Sequence, residues 1–205
     1  MEFDGDQKVR IGLTHFPLLS LGPGVRTGIW FAGCPLHCPA CIAPEWQDPL
    51  SGSEITLTRL LSDLLPWLSQ SDGVTISGGE PFAQPKALQQ LLNALRAAGV
   101  SDILLYSGYH IEEIRERYPL HLQNLDALID GPFMAEYESR HPWRGSGNQK
   151  LHILTQAEEL LQRYEQFQKY IPNRRRLQLI PRTGGMTVIG IPRPADIEEL
   201  QNGTV

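Results

Sequence analysis

The stretch Cys34-Pro35-Leu36-His37-Cys38-Pro39-Ala40-Cys41 holds all three cysteines of the 205-residue chain. Thiols this dense, framed by prolines, point to a soft metal centre rather than to buried packing cysteines. Four cysteines ordinarily close a structural zinc site or a fully ligated iron–sulfur cube. Three leave one metal position open, which suits a centre that binds substrate. The competing reading is a zinc site of Cys34, Cys38, Cys41 and His37, for which His37 has to fold back onto the metal held by its neighbour Cys38.

The residues around this loop set the fold. Thr27 to Phe31 carries no polar alternation, as in a strand covered on both faces. The cysteines follow its carboxyl end, where open and barrel α/β folds place their sites. Val74-Thr75-Ile76, Ile103 to Tyr106 and Leu125 to Ile129 read as further buried strands. Between them, leucines at 3.6-residue spacing predict helices over 57–69 and from Pro85 to a left-handed cap at Gly99, with a short helix over 111–118. Pro66 should kink or break the last turn of the first helix. In that helix Leu57, Leu60, Leu61, Leu64, Leu65 and Leu68 form the apolar face.

The repeated strand–helix order implies right-handed parallel crossovers and an incomplete α/β barrel of mostly parallel strands, open on one side. A short strand over 9–13 precedes this core, and residues 1–8 read as frayed. Asn148 to Leu154 adds a strand, and 156–170 a helix with Leu160, Leu161, Tyr164 and Phe167 inward. Leu177 to Ile180 and Met186 to Ile189 flank Gly184-Gly185 as a C-terminal β-hairpin. Arg174-Arg175-Arg176 reads as a solvated stretch, too short for a nucleic-acid patch.

Composition bounds the function. The length fits one domain, residues 1–205, with a core over about 9–154 and an extension over about 155–205. Apolar content of 41% and charged content of 20% are ordinary for a globular protein. A net charge of −5 gives no bulk attraction to nucleic acid or anionic lipid. Asp4, Asp6 and Glu2 interrupt any secretory leader, and no apolar run approaches the ~20 residues of a membrane helix. With an odd cysteine count, a reducing cytoplasm is expected.

CxxxCxxC after a strand, paired with Ser77-Gly78-Gly79-Glu80-Pro81 after the next, resembles the radical S-adenosylmethionine superfamily. Gly22-Pro23-Gly24-Val25-Arg26, Tyr106-Ser107-Gly108-Tyr109, Asp130-Gly131-Pro132-Phe133 and Trp143 to Gln149 are similar to the activating proteins of glycyl-radical enzymes, that of anaerobic ribonucleotide reductase above all. The resemblance covers roughly residues 9–154.

It implies that Cys34, Cys38 and Cys41 each ligate one iron of a 4Fe–4S cluster, whose fourth iron is chelated by S-adenosylmethionine. An electron from the reduced cluster then cleaves the sulfonium bond, and the 5′-deoxyadenosyl radical takes a hydrogen atom, most simply from a glycine of a partner such as the reductase. The chemistry is the cofactors', with no side chain as catalyst. A low-potential donor such as flavodoxin is implied.

The resemblance further implies that Ser77, Gly78, Gly79 and Glu80 hold S-adenosylmethionine, with Tyr106, Ser107 and Asp130 in cofactor-binding positions. Trp143 and Arg144 then line the open side near the partner. The chain departs from the superfamily at Ala40, where many members carry an aromatic residue, so adenine packing passes to Tyr106 or Tyr109. Asp130 reads equally as a cation ligand and as a turn or cap. Arg26 reads as a solvated turn arginine or as a counter-charge to the thiolates. A radical enzyme acting on another peptide, protein or small molecule, and a non-catalytic zinc module, are the alternative functions.

Overall fold

A computed structural model describes residues 4–173, 175–182 and 185–201. Arg174 and Gly184, part of the expected tri-arginine stretch and hairpin turn, lie outside these, as do the first three residues of the expected frayed segment.

The element order is β1 (Lys8–Leu18), β2 (Arg26–Phe31), β3 (Ser53–Thr56), α1 (Leu57–Leu68), β4 (Gly73–Gly78), α2 (Pro85–Ala97), β5 (Ile103–Tyr106), α3 (Ile111–Arg117), α4 (Pro119–Leu122), β6 (Ala127–Asp130), β7 (Lys150–Ile153), α5 (Glu158–Lys169), β8 (Gln178–Arg182), β9 (Gly185–Ile189) and α6 (Pro194–Gln201). Seven strands form one sheet in the order β3-β1-β2-β4-β5-β6-β7, and β8-β9 is a separate hairpin. β2, β4, β5 and β6 are mutually parallel, whereas β1, β3 and β7 join antiparallel at the margins. The fold is therefore mixed α/β with a parallel centre. The sheet is open, and no pairing among the described residues closes it into a barrel. No helix there is long and apolar enough to cross a membrane.

Both faces of the central strands are covered, which is why their sequences lack alternation. Ile29, Phe31, Ile76, Leu105 and Leu128 pack on one face against Leu57, Leu60 and Leu64 of α1 and against Leu88, Leu91, Leu92 and Leu95 of α2. Side chains alternate along a strand, so Leu104, Ala127 and Ile129 point to the other face, where Trp143 and Tyr164 of α5 cover them. On that same face Leu18, Leu21 and Trp30 meet Ile189 and Ile191 of the C-terminal segment.

Local signals operate as expected at several ends. Thr56 caps α1 by accepting from the Arg59 amide at 3.2 Å. Gly99, at φ +87°, closes α2 while the Gly99 and Val100 amides return to Arg96 and Leu95. Pro66 does not break α1. The helix runs on to Leu68, and the Pro66 carbonyl accepts from the side chains of Ser69 and Gln70. Two leucines depart from the expected faces: Leu65 and Leu161 are exposed, because Leu60 with Leu64 and Tyr164 with Phe167 already fill the inward stripes.

Arg26 corrects both expectations for it. It begins β2, at the end remote from the cysteines, and is fully buried. Its Nη1 lies 2.7 Å from Asp102 Oδ2, its Nη2 donates to Asp102 Oδ1 and to the Val74 carbonyl, and its Nε donates to Thr75 Oγ1. The Tyr164 hydroxyl donates to Asp102 Oδ1 at 2.6 Å. The Gly22-Pro23-Gly24 turn serves this network rather than a ligand. A β-carbon at Gly22 would meet the Arg26 side chain, and one at Gly24 the Asp72 carboxylate that accepts from the Val25 amide.

Candidate functional site

The cysteine loop is sealed at its base by main chain. The Gly33 amide donates to the Trp46 carbonyl at 2.8 Å, and the Cys34 amide to that of Gln47 at 3.0 Å. Between these anchors His37 and Ala40 adopt left-handed backbone, φ +46° and +56°, which side chains seldom favour. These reversals wind the eight-residue stretch tightly, and the position held by Ala40 suits a small residue for that reason.

β4 ends beside this loop. The Gly79 amide donates to the Phe31 carbonyl at 2.8 Å, and the Glu80 amide to that of Gly33 at 2.9 Å. The cysteine loop and the glycine turn are therefore one hydrogen-bonded unit across the carboxyl ends of β2 and β4. Their glycines answer to each other. A β-carbon at Gly78 would lie 2.2 Å from the Phe31 carbonyl oxygen, and one at Gly79 would lie 2.4 Å from that of Gly33 and 2.7 Å from that of Trp46. Gly79→Val is accordingly expected to disturb the cysteine loop itself, at about 1–3 kcal/mol. Iron per chain after anaerobic reconstitution should fall together with cofactor affinity. Full iron content with affinity alone reduced would show that the ligand, not the loop, demands this glycine.

Glu80 ties the unit to the next strand end. Its buried carboxylate accepts from the Phe82 amide at 3.0 Å, from the Gly108 amide at 2.8 Å, and from the Ser107 hydroxyl at 3.0 and 3.1 Å. Burial pushes its pKa up to about 7, against the pull of those same donors. Burial likewise pushes the Cys34 thiol up, offset in part by hydrogen bonds from the backbone at Leu36 and His37.

Cys34, Cys38 and Cys41 share one cavity with Ser77, Gly78, Gly79, Glu80, Tyr106 and Ser107. Leu36, Trp30 and Phe133 line it as well. Three thiols and a glycine turn on one cavity are a donor set that fits an iron–sulfur cube with a small molecule beside it. A zinc ion holds each sulfur at about 2.3 Å and so needs its ligands converged on one point. Among the described residues no three His, Cys, Asp or Glu side chains are so gathered. A cube takes each thiolate at a different corner and so tolerates wider spacing of the sulfurs. His37 is exposed and lines a second cleft, with Lys8, Arg10 and Cys34, rather than the cavity the three cysteines share.

Comparison with known proteins agrees with this donor set. Residues 20–152 match the family described as a 4Fe-4S single cluster domain. The anaerobic ribonucleoside-triphosphate reductase-activating protein of Vibrio cholerae is 30% identical over 141 residues, 65% of this chain and 91% of that relative. The chain belongs to the radical S-adenosylmethionine activating enzymes. The protein of the same description in phage T4 is 29% identical over 136 residues, 63% of this chain and 85% of its own. The pyruvate formate-lyase-activating enzyme of Clostridium pasteurianum is 35% identical over 116 residues, 53% of this chain and 49% of that enzyme.

In this radical S-adenosylmethionine enzyme the remaining expected site residues divide. Tyr106 lines the cavity, while its hydroxyl is buried and has no partner among the described residues. Ser107 lines it too, with its hydroxyl committed to Glu80. Tyr109 does not line it and packs under the Arg117 guanidinium. Asp130 is buried and turned to α3, whose first amide, Ile111, donates to Oδ2 at 2.8 Å. His152 Nε2 stands 2.9 Å from Oδ1 without alignment for a hydrogen bond. Asp130 thus accepts at the start of α3 and does not line the cavity.

Trp143 is a correction. It is 1% exposed and stacks on Phe167 of α5 with ring centroids 3.7 Å apart, so it is core and no partner anchor. Arg144 is half-buried and does not line the cavity; burial lowers its pKa. Gly145 and Gln149 from that loop do reach the cavity, the Gln149 amide bracing it through the Gly145 amide and the Gly131 carbonyl. Sequence reading missed Thr187 to Ile191, which form a further cavity wall. A hairpin signal says nothing about what the hairpin covers.

Proposed function

We propose that this enzyme installs a radical on a glycine of an anaerobic ribonucleoside-triphosphate reductase. The observation that carries the reading is the single cavity shared by the three cysteines and the Ser77–Glu80 turn. The kinship to reductase-activating proteins supports it. In this reading Cys34, Cys38 and Cys41 ligate a 4Fe–4S cluster, and the turn holds S-adenosylmethionine against it on an incomplete barrel formed by one domain. With both groups bound, Cys34, Cys38 and Cys41 would hold the source of one low-potential electron and the Ser77–Glu80 turn its acceptor, a pair that would supply hydrogen-atom abstraction from the substrate.

The chain's own residues position and exclude. Glu80 locks the turn to Ser107 and Gly108, so that main-chain groups meet the cofactor in a fixed orientation. The Tyr106 ring gives the adenine an apolar face, since Tyr109 points elsewhere. Trp30, Ile189 and Ile191 keep water from the interior. Flavodoxin or a donor of similar potential supplies the electron, in the cytoplasm. A pyruvate formate-lyase type of partner is the second reading, favoured by the 35% identity to the Clostridium enzyme.

The test is anaerobic incubation of reconstituted enzyme with reductant, S-adenosylmethionine and the candidate reductase. A glycyl radical seen by electron paramagnetic resonance, matched by 5′-deoxyadenosine, is expected. Release of 5′-deoxyadenosine without the glycyl signal would move the activity to another substrate.

A further inference from the structure

The cavity has a wall that the family match does not account for. The match ends at residue 152, yet Thr187, Val188, Ile189 and Gly190 line the cavity of the cysteines. They come from β9 and the turn after it.

This wall is built in. Ile189 and Ile191 are buried on Leu18, Leu21 and Trp30. The Gln178 side chain clamps β8 to the end of β1, accepting from the Leu19 amide at 2.7 Å and donating to the Pro17 carbonyl at 2.7 Å. Arg175 donates to the carbonyls of Ile191 and Ser139, tying the segment to the loop on the other side of the cavity. At Gly190, φ +124°, a β-carbon would lie 2.9 Å from the Arg176 carbonyl oxygen, so the chain turns there in contact with itself.

Two side chains mark the mouth. Val188 lines the cavity and is still 40% exposed, and Ile42, just past the last cysteine, lines it and is 39% exposed. Phe133 stands beside Ile42, since a β-carbon at Gly145 would touch both. Glu45 is the one exposed charged side chain lining the cavity among the described residues. Any polypeptide whose glycine is to reach the interior has to cross this apolar rim, with an acid at one edge.

We infer that the β8–β9 hairpin is the specificity wall of this enzyme, and that with Ile42 it selects a partner segment whose reactive glycine is flanked by apolar, non-acidic side chains. The inference rests on the glycyl-radical reading for its class of occupant. The wall binds apolar flanks by shape and contact, which salt leaves unchanged, and Glu45 disfavours acidic flanks, which salt screens.

The experiment uses the reconstituted enzyme with S-adenosylmethionine and two fluorescent heptapeptides with a central glycine, one flanked by valines and one by aspartates. Fluorescence anisotropy should give roughly tenfold tighter binding of the valine peptide than of the aspartate peptide, with the valine peptide's own affinity unchanged in high salt. Val188→Asp should weaken binding of the valine peptide about tenfold, while Val188→Ile should keep it. Circular dichroism verifies the fold, which the partly exposed position protects. Equal binding of the valine peptide to wild type and Val188→Asp would overturn the inference. So would equal binding of the two peptides to the wild type, even where the reductase acquires its glycyl radical. Retained peptide preference without any glycyl radical would instead overturn the reading of the reaction and leave the wall selecting a polypeptide.

Discussion

Replacing Cys38 with alanine is expected to abolish S-adenosylmethionine cleavage while leaving the chain folded. The wild type should reconstitute with about four irons and four sulfides per chain, as for one cube. No other thiol exists to replace the lost ligand. His37 does not line the cavity that the three cysteines share. Cys38 is partly exposed and makes no packing contribution to the three apolar clusters, so the melting temperature should stay close to that of the wild-type apoprotein. Iron analysis, 5′-deoxyadenosine release and thermal unfolding separate the two effects. Cys34→Ala and Cys41→Ala should behave alike. Full cleavage activity in the Cys38→Ala enzyme would sink the cluster assignment.

The second large effect lies at the opposite end of β2. Asp102→Ala is expected to destabilise the fold by about 3–5 kcal/mol, a large share of the ~5–15 kcal/mol of a typical domain. The substitution leaves the Arg26 guanidinium charged, fully buried and without its carboxylate. It also strips the acceptor from the Tyr164 hydroxyl. Replacing both partners, as in Arg26→Met with Asp102→Leu, should recover the part of the loss due to the unpaired charge, though not that of the Tyr164 hydroxyl. Urea unfolding measures both. Iron content per folded chain should not change in either variant, since Arg26 and the cysteines flank β2 at opposite ends. An Asp102→Ala protein within about 1 kcal/mol of wild type would show that the pair contributes little net stability.

The sequence made the central strands legible because they are buried on both faces. Ile103 to Tyr106 and Thr27 to Phe31 have no polar face to hide their period. β3 escaped notice for the converse reason. Ser53 to Thr56 is a short, largely exposed edge, and little in its composition separates it from a loop. The cysteines and the glycine turn were legible because their spacing is local, and the structure brings both to one cavity. Arg26 was misread because its partner Asp102 lies 76 residues away, and a charge beside a Gly-Pro-Gly turn looks solvated until that partner is placed. Trp143 was misread likewise: its ring is covered by Phe167, on a helix whose docking the sequence does not specify. The C-terminal hairpin was legible as a hairpin and illegible as a wall.

The seal at the base of the cysteine loop has a bearing on life with oxygen. It consists of peptide groups, Gly33 to Trp46 and Cys34 to Gln47, and the glycine turn is fastened to it through Phe31 and Gly33, again by peptide groups. None of these bonds involves sulfur or iron. Oxygen that strips a cube therefore removes the metal without removing what shapes its seat. Repair after an aerobic interval then becomes a matter of delivering iron, sulfide and electrons to a standing framework. The damaged enzyme would remain a candidate for refilling rather than for degradation.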